Sequence, residues 1–180
     1  MKKHTTKFAV LGLLTIKPLS GYEMSKIIQK SIGHFWSESN GQLYPTLNQL
    51  LKDGFVTRTQ PNTTSKKTAH IYAITEAGQI ALQNWLQEQR ETKNIHRDEE
   101  LLRLFFGCNV PSNISLELLN ARKKRAQETL NKFFAIHNEL DESSEHYLYW
   151  LICLKNGVYS AKAEIEWCDE AIKIIMEQNI

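Results

Sequence analysis

The chain has 180 residues, of which 42% are hydrophobic, so it can bury the core of one large or two small domains. No apolar run approaches the ~18 residues of a membrane helix, and the apolar stretch at 8–14 lacks the cleavage site of a signal peptide. The three Cys are widely spaced and the six His are scattered, which fits a cytoplasmic protein without a metal or cofactor.

The modest net charge of +2 conceals a strong asymmetry between the two parts of the chain. Residues 1–75 contain ten Lys and Arg against three Asp and Glu, whereas residues 76–180 contain twelve against seventeen. We therefore expect any surface that binds a polyanion to lie in the first 75 residues.

The front half begins with two predicted helices. An almost entirely apolar helix covers 8–15, and the Ser20-x-x-Glu23 spacing is typical of a capping box that opens the second helix. Ser39 and Gln42 give a similar signal for a third helix at 40–52. At about 100° per residue, one face of this helix is formed by Leu43, Leu47, Leu50 and Leu51. The opposite face carries Gln42, Pro45, Gln49 and Lys52, flanked by Thr46 and Asn48.

An Asp53-Gly54 break then precedes two alternating segments, 55–60 and 70–74, which predict short strands. The polar loop between them, at 61–69, contains Lys66 and Lys67. A helix that can enter the major groove, followed by a two-stranded β-wing, predicts a winged helix-turn-helix.

A fourth helix is predicted from 76 to 89, and we expect its apolar side chains to be buried. These are Ile80, Leu82, Trp85 and Leu86. The charged, aperiodic stretch at 90–97 is the expected domain boundary. We therefore predict a mainly α protein with a DNA-binding domain at 1–90 and an all-helical dimerisation domain at 97–180.

The rear half contains predicted helices at 98–106 and 115–140, followed by a last helix with a heptad repeat from Tyr147 to Ile175. Sustained spacing of 4 and 3 indicates a coiled-coil-like seam. The preceding helix of the same chain could fill this seam, so a dimer does not follow from the repeat alone. The candidate dimerisation residues are Leu151, Leu154, Val158, Ile165 and Ile172.

The polar side chains of the front half are of the types that contact DNA bases and phosphates. Gln49 and Asn48 offer the paired donor and acceptor that match adenine in the major groove. Four lysines are spaced to contact phosphates on both sides of a groove: Lys26, Lys30, Lys66 and Lys67. For Tyr44, two roles stay open, core packing beside the leucines or a hydroxyl directed at phosphate.

Three blocks in this order resemble the PadR family of bacterial transcriptional regulators. They are GYEMSKII at 21–28, GQLYPTLNQLLKDGFV at 41–56 and IYAITEAGQIAL at 71–82. The resemblance covers roughly residues 8–90 and is looser beyond residue 98, where length and helical character fit family members with a long helical C-terminal domain.

The resemblance implies a homodimer that binds a palindromic operator in double-stranded DNA, with many members acting as repressors released by small aromatic molecules and a few as activators. It implies support of the helix-turn-helix and approach to phosphate by Tyr22 and Lys26. By position, the groove-facing residues would be Gln42, Tyr44, Pro45, Thr46 and Gln49, and the wing-tip cations Lys66 and Lys67.

A candidate effector pocket follows from aromatic residues in the rear half, because aromatic walls with a few polar groups suit flat ligands. The residues are Phe133, Phe134, His137, Tyr147 and Trp150. The alternative is that these side chains are ordinary interface packing.

The sequence contains no nucleophile motif or Gly-rich phosphate loop, and its paired carboxylates are typical of helix ends. We therefore expect that the protein is not an enzyme. The leading hypothesis is a dimeric repressor released by a small molecule. The alternatives are an activator on the same scaffold and a winged helix used only for protein interaction.

Overall fold

The structure is a computed structural model that describes residues 5–33, 35–36, 40–59, 69–88 and 97–178. The chain forms two compact units, Met1–Thr92 and Lys93–Ile180. Within the described ranges, no helix is long and apolar enough to cross a membrane.

The described residues of unit 1 form four α-helices and three short strands, in the order helix, strand, helix, helix, strand, strand, helix. They are α1 (Thr6–Ile16), β1 (Leu19–Ser20), α2 (Gly21–Ile27), α3 (Asn40–Lys52), β2 (Val56–Thr59), β3 (Ile71–Ile74) and α4 (Glu76–Gln87). A π-helical turn, Ile28–Ile32, continues α2.

The core of unit 1 is built from the apolar faces of α1, α2 and α3. The predicted leucine face of α3 is confirmed, because Leu43, Leu47 and Leu50 are at most 1% exposed. They pack with Leu11 and Met24, which are both fully buried. This burial fixes which side of α3 remains accessible.

The sheet has three strands rather than the predicted two. β3 lies in the centre, and both β1 and β2 pair with it in antiparallel orientation. The additional strand pairs Leu19 with Tyr72 and Ser20 with Ile71. The strand has only two residues, the second of which is also the N-cap of α2, and two residues are too few to show alternation, so the sequence pattern does not predict it.

Helix α4 forms where predicted, but half of its expected burial is wrong. Leu82 is buried, and the Trp85 ring stacks on Phe8 with centroids 4.7 Å apart. Ile80 and Leu86, in contrast, are 50% and 67% exposed. Only a narrow face of the helix packs against the core, and Ile80 and Leu86 lie outside that face.

Unit 2 consists of α5 (Glu99–Phe105), a 3₁₀ turn (Gly107–Asn109), α6 (Ser112–Asn138) and α7 (Tyr147–Gln178). The two long helices pack as an intrachain hairpin. Its cluster contains Leu130, Phe133, Leu154 and Ala161, with Val158 and Ile165 at the edge. The Phe133 ring lies so close to Gly157 that a Cβ there would be 2.6 Å from Cζ. The heptad seam is therefore filled, at least in part, by α6 of the same chain.

Arg122 joins the three helices of unit 2. Its guanidinium lies 2.8 Å from the Asp98 carboxylate, is bonded to Glu164, and stacks over Trp167 with 5.2 Å to the ring centroid. The bond to Glu164 is the main cause that raises the pKa of Arg122. Asp98 also caps α5 by accepting the Leu101 N–H at 3.0 Å. That bond and the nearby guanidinium lower the pKa of Asp98.

Candidate nucleic-acid interface

The start of α2 is fixed by the predicted capping box. Ser20 donates its backbone N–H to Glu23 Oε2 at 2.7 Å, and the Glu23 N–H donates to Ser20 Oγ at 3.2 Å. The Ser20 N–H and hydroxyl hold the pKa of the Glu23 carboxyl below its ordinary value. A charge-assisted cap of this kind gives α2 a defined first turn.

The exposed side of α2 presents Tyr22 and Lys26, one helical turn apart. Tyr22 is 61% exposed, and Lys26 Nζ lies 4.6 Å from the centroid of its ring. The cation–π contact restrains an ammonium group that remains at the surface. Its position suits a phosphate contact.

Helix α3 presents the predicted polar face to solvent. Gln42, Pro45, Asn48 and Gln49 are exposed, while Thr46 is half-buried and its hydroxyl donates to the Gln42 carbonyl at 2.8 Å. We call these five residues the reading surface. The cap predicted at Ser39 lies outside the described residues.

One amide of the reading surface is engaged within the chain. Gln49 Nε2 donates to Asp53 Oδ1 at 2.7 Å, and both side chains are exposed. This bond places a carboxylate at the edge of a surface otherwise suited to a polyanion. The sequence singled out Gln49 but not its partner, although the i, i+4 spacing could have indicated the pair.

The end of α3 is held firmly against the sheet and α4. Gly54 has a φ of 73°, and the bonds Gly54 N–H to Leu51 O (3.2 Å) and Phe55 N–H to Leu50 O (2.9 Å) form a Schellman cap. The Thr75 hydroxyl donates to the Gly54 carbonyl at 2.8 Å and accepts the Gly78 N–H at 3.1 Å. The turn after α3 and the N-terminus of α4 are thus fixed together.

Tyr44 is neither buried in the core nor fully exposed. It is 48% exposed, and its ring lies directly against Gly21 at the start of α2. Core packing, one of the two roles left open by the sequence, therefore does not describe its position.

The wing is described only at its base. Lys66 and Lys67 lie outside the described residues, as does most of the loop between β2 and β3. Arg58 on β2 is exposed, and its Cα partner on β3 is Tyr72. Sequence reasoning did not select Arg58, although a basic residue in the strand leading to the loop was a usable signal.

The predicted dimerisation residues have less free surface than expected. Leu154 is 4% exposed inside the hairpin, and Val158 and Ile165 pack against the same cluster. Leu151 and Ile172 are half-buried. Helix α6 therefore covers three of these residues at least in part, and their contact with a second chain stays a prediction.

The predicted effector residues differ in their exposure. Phe133 is 4% exposed and packs in the hairpin, whereas the next residue, Phe134, is 48% exposed. His137 is exposed. Tyr147 donates its hydroxyl to Glu142 at 3.3 Å, and the Trp150 ring stacks on His146 at 5.3 Å. Phe133 is part of the buried cluster between α6 and α7, so a ligand at this position would have to displace side chains of that cluster.

Two family models match the chain. Residues 10–84 match the transcriptional regulator PadR-like family, and residues 96–176 match the virulence activator alpha C-terminal family. The negative transcriptional regulator PadR of Bacillus subtilis is 26% identical over 176 residues, which cover 94% of this chain and 96% of the relative.

Solved structures show the same fold. Bacillus subtilis PadR in complex with operator DNA has a TM-score of 0.82 at 24% identity, covering 94% of this chain and 98% of that one. The same regulator with p-coumaric acid has a TM-score of 0.77 at 23% identity, with 97% of each chain covered. The Vibrio cholerae virulence activator AphA has a TM-score of 0.73 at 21% identity, covering 96% of this chain and 99% of AphA.

The front-half match includes the capped α2, the polar face of α3 and the base of the wing, and the rear-half match includes the α6–α7 hairpin. The first unit thus matches the transcriptional regulator PadR-like family, and nearly the whole chain is similar to a regulator of that name.

Proposed function

We propose that this protein is a dimeric repressor that binds a two-fold operator through α3 and is released by a small aromatic molecule. The observation that carries the proposal is the exposed polar side of α3, opposite the buried Leu43, Leu47 and Leu50. Gln42, Asn48 and Gln49 supply amide donors and acceptors to base edges in the major groove.

Phosphate contacts would flank this surface. Lys26 on α2 and Arg58 on β2 are exposed cations on the elements that precede and follow α3. Lys66 and Lys67 extend the basic character to the wing tip in sequence. Cations on both sides of a reading helix supply affinity, while the helix supplies specificity.

Dimerisation is supported by apolar side chains in unit 2 that are left exposed. Helix α5 buries none of its residues, and Phe105 and Phe106 are 80% and 57% exposed. The exposed apolar set around them is Leu101, Leu102, Val110 and Ile114. We call these six residues the α5 patch. Exposed large apolar side chains grouped within one short stretch of the sequence are typical of an interaction surface, and a two-fold operator requires a second copy of the chain.

Release by an effector is supported by relatives alone. Bacillus subtilis PadR, 26% identical to this chain, is a negative regulator whose structure has been solved with p-coumaric acid. A small phenolic acid is therefore the first ligand class to test, by its effect on operator affinity.

A second candidate function is activation. The rear unit matches the virulence activator alpha C-terminal family, and AphA, which shares the fold, is a virulence activator. Transcription in vitro from the protein's own target promoter distinguishes the two roles, because a repressor lowers and an activator raises the yield of transcript.

The proposal is tested by the salt dependence of duplex binding. If Lys26 of each protomer contacts a phosphate, the Lys26→Ala variant should make the negative slope of log affinity against log salt shallower by about 1.8, about 0.9 for each of the two lost contacts. Lys162→Ala, an exposed lysine on α7, is the matched control and should leave the slope unchanged. A wild-type protein that binds no duplex at low salt, while folded, would contradict the proposed function.

A further inference from the structure

The contact between Tyr44 and Gly21 explains a glycine that backbone geometry does not require. Gly21 is the first residue of α2 and is buried, and it is not among the residues with positive φ. Alanine is a better helix former than glycine, so the helix alone would favour a side chain here.

The space for that side chain is occupied by the Tyr44 ring. A Cβ on Gly21 would lie 2.8 Å from Cε1, 3.1 Å from Cζ and 3.3 Å from Oη of Tyr44. The hydroxyl edge of the ring therefore rests on the α2 backbone. At 48% exposure, the other side of the ring faces solvent.

This contact lies beside a turn of α3 that contains a proline. The buried leucines hold the far side of the helix, while Tyr44 immediately precedes Pro45 on the exposed side. Pro45 has no N–H to donate to the Gly41 carbonyl, so the first turns of α3 have one backbone hydrogen bond fewer. A rigid ring held against a backbone restrains the rotation of these turns.

We propose that Tyr44 is a positioning residue that sets the orientation of α3 by resting on Gly21, and that this orientation decides how well the reading surface meets base edges. The proposal rests on the proposed function and specifies how one contact supports it. Non-specific affinity, which depends on phosphate contacts, does not depend on this orientation to the same degree.

The test uses the full chain and two duplexes of equal length, one selected from a random pool by the wild-type protein and one scrambled. Gly21→Ala should weaken binding to the selected duplex by on the order of tenfold, the worth of one good base contact. Binding to the scrambled duplex should change little. Gly12→Ala is the matched control, because a Cβ on that α1 glycine meets nothing within 4 Å.

A double-variant comparison identifies the ring as the cause. In a Tyr44→Ala background, Gly21→Ala should cause no further loss, because the obstructing ring is absent. In a Tyr44→Phe background the penalty should persist, because the ring remains. Thermal unfolding shows whether Gly21→Ala is folded. If it is not, the double variant Gly21→Ala with Tyr44→Ala should be folded, because the obstructing ring is absent.

The outcomes separate the two proposals. Equal binding of wild type and Gly21→Ala to the selected duplex overturns the positioning role, and so does a penalty that persists in the Tyr44→Ala background. A wild-type protein that selects no duplex at all instead removes the proposed function on which this inference rests.

Discussion

Gln49 and Asp53 form a hydrogen bond of 2.7 Å at the exposed end of α3, from the Gln49 amide to the Asp53 carboxylate. The bond restrains the amide that the sequence assigns to base reading. It also places a negative charge at the edge of the surface that we propose to face DNA.

Removing this charge should strengthen DNA binding. Asp53→Asn keeps the size of the side chain but eliminates repulsion of phosphate, so we expect affinity at low salt to rise roughly two- to fivefold. Titration of a labelled duplex measures the change, and Glu170→Gln on α7 is the matched control for loss of one acidic residue. Weaker binding by Asp53→Asn would show instead that the carboxylate holds Gln49 in its reading position.

The α5 patch should carry the dimer contact. Replacing both Phe105 and Phe106 with Asp introduces charges where an apolar interface would bury them, and we expect the dimer to dissociate. Light scattering or sedimentation measures the mass. Ile80→Asp, at an apolar side chain of unit 1 that is 50% exposed, is the control and should leave the dimer intact. A dimer that survives the double substitution would place the interface elsewhere.

Because α6 packs closely on α7, any side chain at Gly157 should lower the stability of the protein. Gly157→Ala would put a Cβ 2.6 Å from Phe133 Cζ, and overpacking of this kind costs about 1–3 kcal/mol. Urea unfolding should show the loss. Adding Phe133→Leu should recover part of it, because the smaller side chain vacates the crowded position. Unchanged stability of Gly157→Ala would contradict the close contact.

Asp98 should make stability depend on pH in the acid range. Its pKa is lowered in the folded state by the Leu101 N–H and by Arg122, so the stabilisation is present above the ordinary pKa of an aspartate. It is lost as pH falls through the lowered value. In Asp98→Asn the decrease in urea midpoint below about pH 4 should be smaller, since asparagine still caps a helix but does not titrate there. An identical decrease in both proteins would assign the acid sensitivity to other carboxylates.

Much of unit 1 could be predicted because its signals are local. The capping box at Ser20 and Glu23 and the leucine spacing of α3 each lie within a few residues, and the structure has both. β1 was missed because two residues cannot show a period. Ile80 and Leu86 were misassigned because an apolar residue on a helix does not reveal how wide the packed face is.

The contacts that the sequence could not supply join distant residues. Arg122 meets Asp98 and Glu164 across three helices, and charges at such separations give no pattern in the chain. The same holds for the Tyr44 ring on Gly21, which depends on how α2 and α3 are packed. The heptad repeat of α7 predicts a seam, but only the packing shows that α6 fills part of it.

Selection of bound fragments from random duplex DNA tests the central claim most directly. We predict enrichment of a two-fold motif whose half-sites are separated by about 10 base pairs or a multiple, occupied by two copies of the chain. Substitution of Gln49 or Asn48 should alter the preferred bases within each half-site. Failure of the folded protein to enrich any sequence at low salt would contradict the assignment of α3 as a DNA-reading helix.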